Sequence, residues 1–239
     1  DLGRIPMIVT LESLNEDSFY VSEDGTVMVV ADGMGGYVGG EIASRTAVKS
    51  VAYYFSNYTH ASTEQLTKAI AYANDCIISK IIIDPSLEGM GTTLSLLSLV
   101  DSTAYWAHVG DSRIYLYRKG MLKQITTDHT VIHELIEDHS ITTDEAEKHP
   151  QRHVLTRAVG VEKQLEIDSG SFTVMKGDRI LLCSDGLSAA LSEEEIASYL
   201  SHSEKTERQT VKDLFSRIYD EGAPDNATQS LLFFPFPKT

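Results

Sequence analysis

Residues 93–117 read TLSLLSLVDSTAYWAHVGDSRIYLY, and this stretch carries most of the information about the fold. Three apolar runs, Thr93–Val100, Thr103–Val109 and Arg113–Tyr117, are separated only by Asp101-Ser102 and by Gly110-Asp111-Ser112. Linkers this short close hairpins and cannot house the crossover that parallel strands require. The stretch therefore predicts an antiparallel meander. Its aromatics, Tyr105, Trp106, Tyr115 and Tyr117, read as sheet packing, and His108 as a hydrogen-bonded core residue.

Upstream, Ser18–Val21 and Thr26–Ala31 flank Asp24-Gly25, which readily takes the positive φ of a tight turn, so they read as a hairpin. Residues 40–57 and 62–83 read as helices. In the second, Leu66, Ile70, Ala73, Ile77 and Ile81 recur at three- and four-residue spacing and make one apolar face. Downstream, the chain is polar and helical from Thr130 to Arg157, with Thr142 and Glu145 in capping-box spacing. Gln164–Val174 and Asp178–Cys183 read as strands, Ser192 with Glu195 caps a helix, and another helix spans about 205–219. The final strand is Ala227–Phe234, ended by Pro235 and Pro237. Strands in short-loop clusters and helices in pairs favour a layered α+β fold with antiparallel sheets over alternating βαβ units. The expectation is one domain over residues 1–239, with a polar subdomain at about 130–157.

The 239 residues, 42% of them hydrophobic, suffice for a substantial core. Twenty Lys and Arg against 35 Asp and Glu give a formal charge of −15. So acidic a chain repels phosphate backbones and anionic lipid, which argues against nucleic-acid and membrane partners. No apolar stretch approaches the roughly 20 residues of a membrane span, and no signal peptide opens the chain. The expected setting is cytoplasmic and the expected state monomeric. The first residue is Asp1 rather than Met, which leaves a longer parent protein open. Cys76 and Cys183 match no disulfide framework or zinc spacing and read as structural thiols.

Four aspartates share one context. Asp32 ends Val27-Met28-Val29-Val30-Ala31 and precedes Gly33; Asp185 ends Ile180-Leu181-Leu182-Cys183-Ser184 and precedes Gly186. Asp111 follows Ala104–Val109 and Gly110, and Asp225 sits just ahead of the final strand, followed by Asn226. A buried strand holds its end rigidly, so each run can deliver a carboxylate to the rim of a sheet. Carboxylates gathered there repel one another and shift in pKa unless a cation neutralises them. Oxygen donors without Cys or His nearby in sequence select hard ions such as Mg²⁺ or Mn²⁺. Any single Asp-Gly or Gly-Asp pair reads equally well as a plain turn. Four at strand ends, with Asn15-Glu16-Asp17 opening the first strand, suggest a metal site.

Gly33, Gly35, Gly36, Gly39 and Gly40 form a loop that lets backbone approach a ligand closely. It fits neither G-x-G-x-x-G nor a phosphate-binding P-loop, which disfavours nucleotide binding. There is no G-x-S-x-G elbow, and neither cysteine is followed by an arginine six residues on. Serine- and cysteine-nucleophile hydrolysis both lack their residues.

Six segments then occur in a telling order: Asn15-Glu16-Asp17-Ser18-Phe19, Val30-Ala31-Asp32-Gly33-Met34-Gly35-Gly36, Gly89-Met90-Gly91-Thr92-Thr93, Ala107-His108-Val109-Gly110-Asp111-Ser112-Arg113, Leu182-Cys183-Ser184-Asp185-Gly186-Leu187 and Asp225-Asn226-Ala227-Thr228. Over residues 15–234 the chain resembles the metal-dependent protein phosphatases and looks like a compact bacterial-type member of their type 2C group. The resemblance implies a four-layer α-β-β-α sandwich of two antiparallel sheets flanked by helix pairs. It implies hydrolysis of phosphoserine and phosphothreonine in proteins by a metal-activated water, without a covalent intermediate, and a cognate Ser/Thr kinase as a partner. It also implies two Mn²⁺ or Mg²⁺ ions, with a third in bacterial members. Asp32 would bridge the two ions, the Gly33 carbonyl would serve the first, and Asp185 and Asp225 would complete the second. Glu16 and Asp17 would hold waters around the ions, Asn226 would support Asp225, and Asp111 with Asp185 would take the third ion.

The chain departs from the family pattern in two places. Val9 and Glu12 stand where a Gly and a phosphate-binding Arg are usual, and Tyr37 stands where His often follows the glycines. Asp1-Leu2-Gly3-Arg4 resembles the missing start displaced by six residues. Either Arg4 reaches the phosphate across an insertion, or the clamp is lost. These departures motivate an alternative, a phosphatase-like regulatory or binding module with weak or no turnover. A two-metal nuclease is disfavoured by the acidic charge. His129 and His133, four residues apart, could face zinc on one helix side, but solvated histidines of a flap beside the active site are the preferred reading.

Overall fold

Strands that are apolar on both faces dictate the architecture, because each must be covered twice. The computed structural model describes residues 7–9, 16–56, 61–146, 148–220 and 229–233. In chain order these form β1 (Met7–Val9), β2 (Asp17–Val21), β3 (Val27–Met34), α1 (Gly36–Ser56), α2 (Thr63–Ile83), β4 (Gly91–Thr92), β5 (Leu94–Val100), β6 (Thr103–Val109), β7 (Arg113–Arg118) and β8 (Met121–Gln124). They continue as α3 (Val131–Glu137), α4 (Thr143–Ala146), β9 (Asp168–Thr173), β10 (Arg179–Cys183), α5 (Asp185–Ala190), α6 (Glu193–Ser201), α7 (Glu207–Asp220) and β11 (Gln229–Phe233). One sheet runs β2-β3-β5-β6-β9 with β4 on β3; the other runs β1-β11-β10-β7-β8. Every pairing between them is antiparallel.

Alternation along each strand feeds three cores. On β3, Val27, Val29 and Ala31 face Ala47, Val51, Leu66, Ile70 and Ile77 of α1 and α2. Met28 and Val30 face the opposite way and meet Ile114, Leu116, Ile180 and Leu182 of the second sheet. Tyr115, Leu181 and Cys183 then point outward under Leu187, Ile196, Leu200, Leu214 and Phe215 of α5, α6 and α7. Three cores separate four layers, so the fold is the expected α-β-β-α sandwich. Each fully buried Leu or Ile contributes about 1.5–3 kcal/mol of transfer free energy, which makes the period-two pattern decisive. Trp106 packs against the inter-sheet core, and the Gly170 opposite it leaves room for its ring, where a Cβ would come within 2.8 Å.

The meander reading holds for β5 and β6 and fails for β7. Val100 pairs Thr103 in a tight hairpin, but β7 lies in the other sheet between β10 and β8. The far edge of β6 is taken by β9 instead. Gly110-Asp111-Ser112 is therefore a crossing between sheets, with Gly110 at φ 106, and Asp111 sits in the seam. The first helix also begins earlier than its apolar pattern: Gly36–Gly40 belong to α1. Strand β9 is shorter than Gln164–Val174, and the last strand is described over Gln229–Phe233. Capping of α2 by Ser62 and Gln65, and of α6 by Ser192 and Glu195, is reciprocal. Thr142 and Glu145 bond to each other's backbone N–H in the same way at the start of α4.

Candidate metal centre

The site is built where the ends of both sheets meet. Asp17 opens β2 and is the register partner of Asp32 on β3. Asp185 starts α5 immediately after β10, and Asp111 lies in the crossing from β6 to β7. Ser184 Oγ donates to Asp17 Oδ2 at 2.9 Å, linking the rim of one sheet to the rim of the other.

Backbone contacts fix Asp32 from both sides. Its N–H donates to Thr93 Oγ1 at 2.9 Å, and its carbonyl accepts from Thr93 N and from Thr92 Oγ1, both at 2.8 Å. Gly33 N donates to the Glu16 carbonyl at 3.1 Å. A Cβ at Gly33 would collide with the Gly40 carbonyl and come within 2.8 Å of Glu16 O. A Cβ at Gly40 would meet the Glu16 carboxyl carbon and the Gly33 carbonyl, both at 2.9 Å. The glycines thus let the first turns of α1 press directly on the strand that carries Asp32. Thr93 Oγ1 also shares a 2.6 Å hydrogen bond with Ser112 Oγ, which ties this layer to the turn holding Asp111.

Electrostatics tell the same story as geometry. The Asp32 carboxyl is held well above the usual carboxylate range, first by burial and then by Asp17, Asp185 and Asp111; its side chain also hydrogen-bonds Asp185. Asp111 is pushed up to about 7 by burial, Asp185 and Asp128, against the pull of Arg113. Two buried acids, Asp32 and Asp111, pushed up by burial and by neighbouring carboxylates, have an unmet demand for positive charge. All their donors are oxygens, the preference of hard divalent cations. Among the described residues no three Asp, Glu, His or Cys side chains are grouped so that they could hold an ion as they stand. The arrangement is a partial, repulsive cradle, and it fits divalent cations by charge and donor type.

Six of the sequence-selected residues, Glu16, Asp17, Asp32, Gly33, Asp111 and Asp185, are placed at or beside this rim. Arg4, Glu12, Asp225 and Asn226 lie outside the described residues, as does the side chain of Tyr37. Sequence reasoning missed Ser184 as the link between sheets, and Thr92 and Thr93 as the clamp on Asp32. Both threonines stand in Gly89-Met90-Gly91-Thr92-Thr93, and Ser184 directly precedes Asp185, so their positions carried the signal.

The histidine expectations divide. His108 is fully buried in β6; its Nε2 lies 3.1 Å from the Thr127 carbonyl and its Nδ1 2.8 Å from Ser95 Oγ. A carbonyl only accepts, so Nε2 carries the proton toward Thr127, and the Ser95 hydroxyl beside Nδ1 donates to the Ser112 carbonyl at 2.9 Å. Burial and the neighbouring His129 push its pKa down to about 4. His129 corrects the reading of solvated flap histidines: it is 5% exposed. Its Nδ1 accepts from Gly110 N at 3.1 Å, and its Nε2 lies 3.3 Å from both Asp168 Oδ2 and Arg157 Nη1. Backbone bonds from His129 N to the Gly110 carbonyl at 2.8 Å and from Thr156 N to the His129 carbonyl at 2.9 Å hold it at the root of the polar segment. Cys183 is sealed in the outer core with its thiol pushed up to about 12 by burial.

Comparison with known proteins follows the same lines. A family model described as protein phosphatase 2C matches residues 10–231. The serine/threonine protein phosphatase PstP of Mycobacterium tuberculosis is 37% identical over 215 residues, covering 90% of this chain and 41% of that protein. This chain thus spans less than half the length of that relative. A crystal structure of the M. tuberculosis phosphatase superposes with a TM-score of 0.85 at 34% identity over 97% of both chains. The serine/threonine phosphatase stp of Listeria monocytogenes is 34% identical over 226 residues, covering 91% of this chain and 89% of that protein. The catalytic domain of a phosphatase PstP in complex with two manganese ions matches with a TM-score of 0.81 at 31% identity, over 95% of this chain and 96% of the other.

Proposed function

The chain belongs to the protein phosphatase 2C family, and from that premise we propose that it is a metal-dependent phosphatase acting on phosphoserine and phosphothreonine of proteins. The observation that carries the proposal is the gathering of Asp17, Asp185 and Asp111 around Asp32, whose carboxyl is driven upward first by burial and then by these neighbours. Bound Mn²⁺ or Mg²⁺ would supply an activated water for in-line attack on phosphorus and would neutralise the phosphate oxygens. Asp32, the Gly33 carbonyl, Asp185 and Asp225 are the proposed holders of two ions, and Asp111 with Asp185 of a third. Glu16 and Asp17 are proposed to orient water at the site, with Asn226 beside Asp225.

The protein's own contribution is position. Thr92 and Thr93 fix Asp32, Ser184 fixes Asp17, and the contact of Gly33 with Gly40 brings the start of α1 to the rim. The first N–H groups of a helix lack intrahelical partners and favour an anion, so this end of α1 suits a phosphate. Preorganised charge of this kind needs no nucleophilic side chain. Similarity to curated phosphatases favours turnover over a silent binding module. Arg4 is the proposed phosphate clamp, and Arg4→Ala should raise KM.

We further propose a single catalytic domain in which residues 130–157, with α3 and α4, act as a flap. A cognate Ser/Thr kinase, a monomeric state and a cytoplasmic setting complete the proposal. No helix among the described residues is long and apolar enough to cross a membrane. The test is release of p-nitrophenol from its phosphate with Mn²⁺ and then with chelator. Turnover that needs the ion supports the assignment; none with either Mn²⁺ or Mg²⁺ refutes it.

A further inference from the structure

The solvent face of the helix pair opposes the charge of the molecule as a whole. Between α1 and α2 runs an open groove of about 730 Å³ lined by Arg45, Lys49 and Lys80, with Asp75 as the only carboxylate among its described lining residues. Three cations to one anion, on a chain of net charge −15, mark a local inversion of field. Arg45 pairs with Glu41 at 2.7 Å, but both are exposed, and such an i,i+4 pair holds by only about 0.3–0.5 kcal/mol. Lys49 and Lys80 have no ion-pair partner among the described residues.

The groove has polarity along its length. Tyr53 and Tyr72 stack at 6.3 Å at one end, and they are 64% and 38% exposed. Tyr53 near the end of α1 thus meets Tyr72 at the middle of α2. Arg45 at the middle of α1 shares the groove with Lys80 near the end of α2, the order of an antiparallel pair. The other end, with Arg45 and Lys80, lies toward the start of α1 at the metal centre. By the helical rise of 1.5 Å per residue, Gly36 to Arg45 spans about 14 Å and Gly36 to Tyr53 about 26 Å. An extended chain covers those distances in about four and eight residues.

We propose that this groove docks an acidic segment of the phosphoprotein substrate, lying about four to eight residues from the phosphorylated side chain. Carboxylates of the segment meet Arg45, Lys49 and Lys80, and an apolar or aromatic side chain covers the Tyr53–Tyr72 pair. The idea of a substrate segment rests on the phosphatase reading; the preference of the groove for an acidic peptide stands on its charge and shape. Long-range attraction of this type acts on encounter and on KM, and it is screened by salt.

The experiment has two arms on the full chain. In the first, a fluorescein-labelled ten-residue peptide with six glutamates is titrated by anisotropy against the wild type and against a variant combining Arg45→Glu, Lys49→Glu and Lys80→Glu. The expected result is binding that weakens with salt and falls at least about fivefold in the variant. In the second, phosphothreonine peptides with and without the acidic run are compared. The variant should raise KM only for the acidic one and leave p-nitrophenyl phosphate turnover unchanged. A milder pair, Lys49→Gln with Lys80→Gln, repeats both arms with thermal unfolding as a check on folding. Equal peptide affinity in wild type and variants overturns the proposal, as does binding of an RNA oligonucleotide or anionic vesicles but not of the peptide. Absence of any p-nitrophenyl phosphate turnover in the wild type would instead sink the phosphatase reading, and the binding arm would still judge the groove.

Discussion

Ser184, at the end of β10, donates a 2.9 Å hydrogen bond to Asp17, at the start of β2. Both residues are buried, and the bond joins the two sheets at the rim, alongside the Thr93–Ser112 bond and the bond from Arg118 to the Thr173 carbonyl. Removing the hydroxyl should let the rims drift apart. Ser184→Ala is expected to lower stability by about 1–2 kcal/mol and to weaken the apparent Mn²⁺ affinity by about tenfold, as loss of a group supporting a ligand does. Urea unfolding and activity against Mn²⁺ concentration measure the two effects. Unchanged metal dependence would show that Asp17 needs no such support.

Gly33→Ala places a methyl group against the Gly40 carbonyl. Neither backbone can retreat without moving α1 off β3, so overpacking should cost about 1–3 kcal/mol. Turnover should fall further than stability suggests, because Asp32 moves with the strand. Comparing kcat with the urea midpoint separates the two, and a fully active Gly33→Ala protein would contradict the close packing.

These two examples mark what the sequence makes legible. The ends of apolar runs located Asp32 and Asp185, since a buried strand of Val, Ile and Leu announces itself by composition. The clustering of strands and of helices implied a layered α+β fold, and the resemblance to the metal-dependent phosphatases supplied the four layers. Less visible was the start of α1, because glycines carry a poor helical propensity and only the packing of Gly40 on Glu16 accounts for them there. Helix α5 has six residues, too few for a periodic signal. The destination of β7 was misread because a three-residue linker serves a hairpin and a crossing between sheets equally well. Convergence of the aspartates depends on the register of Asp17 with Asp32 and on that crossing, which spacing along the chain does not encode.

Asp111 supplies a prediction with a definite sign. Its folded pKa, about 7, lies above its ordinary value. The cost to the fold therefore builds as pH rises from the ordinary value of 3.8 and is complete above about 7. In chelator, Asp111→Asn should be more stable than the wild type at pH 8 by on the order of 1–2 kcal/mol. The advantage should be smaller at pH 5, where the folded carboxyl is protonated while the unfolded one is still mostly ionised, and should vanish only below the ordinary value of 3.8. Urea midpoints at both values check this. A constant difference across pH would mean that Asp111 is not under charge stress.

His108 titrates in the opposite sense. With a folded pKa of about 4, it stays neutral in the fold while the unfolded chain takes up a proton near its ordinary value. The wild type should lose stability as pH falls from about 6.5 toward 4, by up to about 1.4 kcal/mol per unit. His108→Gln, which keeps a polar but non-titrating side chain, should lack that slope. The difference between the two proteins isolates it from the carboxylates. Parallel curves would place the imidazole elsewhere.

Asp32 is the proposed centre of a cation site that hydrolyses phosphate esters. The most direct measurement is phosphate release from a phosphothreonine peptide, with and without Mn²⁺, by the wild type and by Asp32→Ala, with circular dichroism on both. Metal-dependent release that disappears in a folded Asp32→Ala protein is the predicted result. Release that persists in chelator, or in Asp32→Ala, would contradict it.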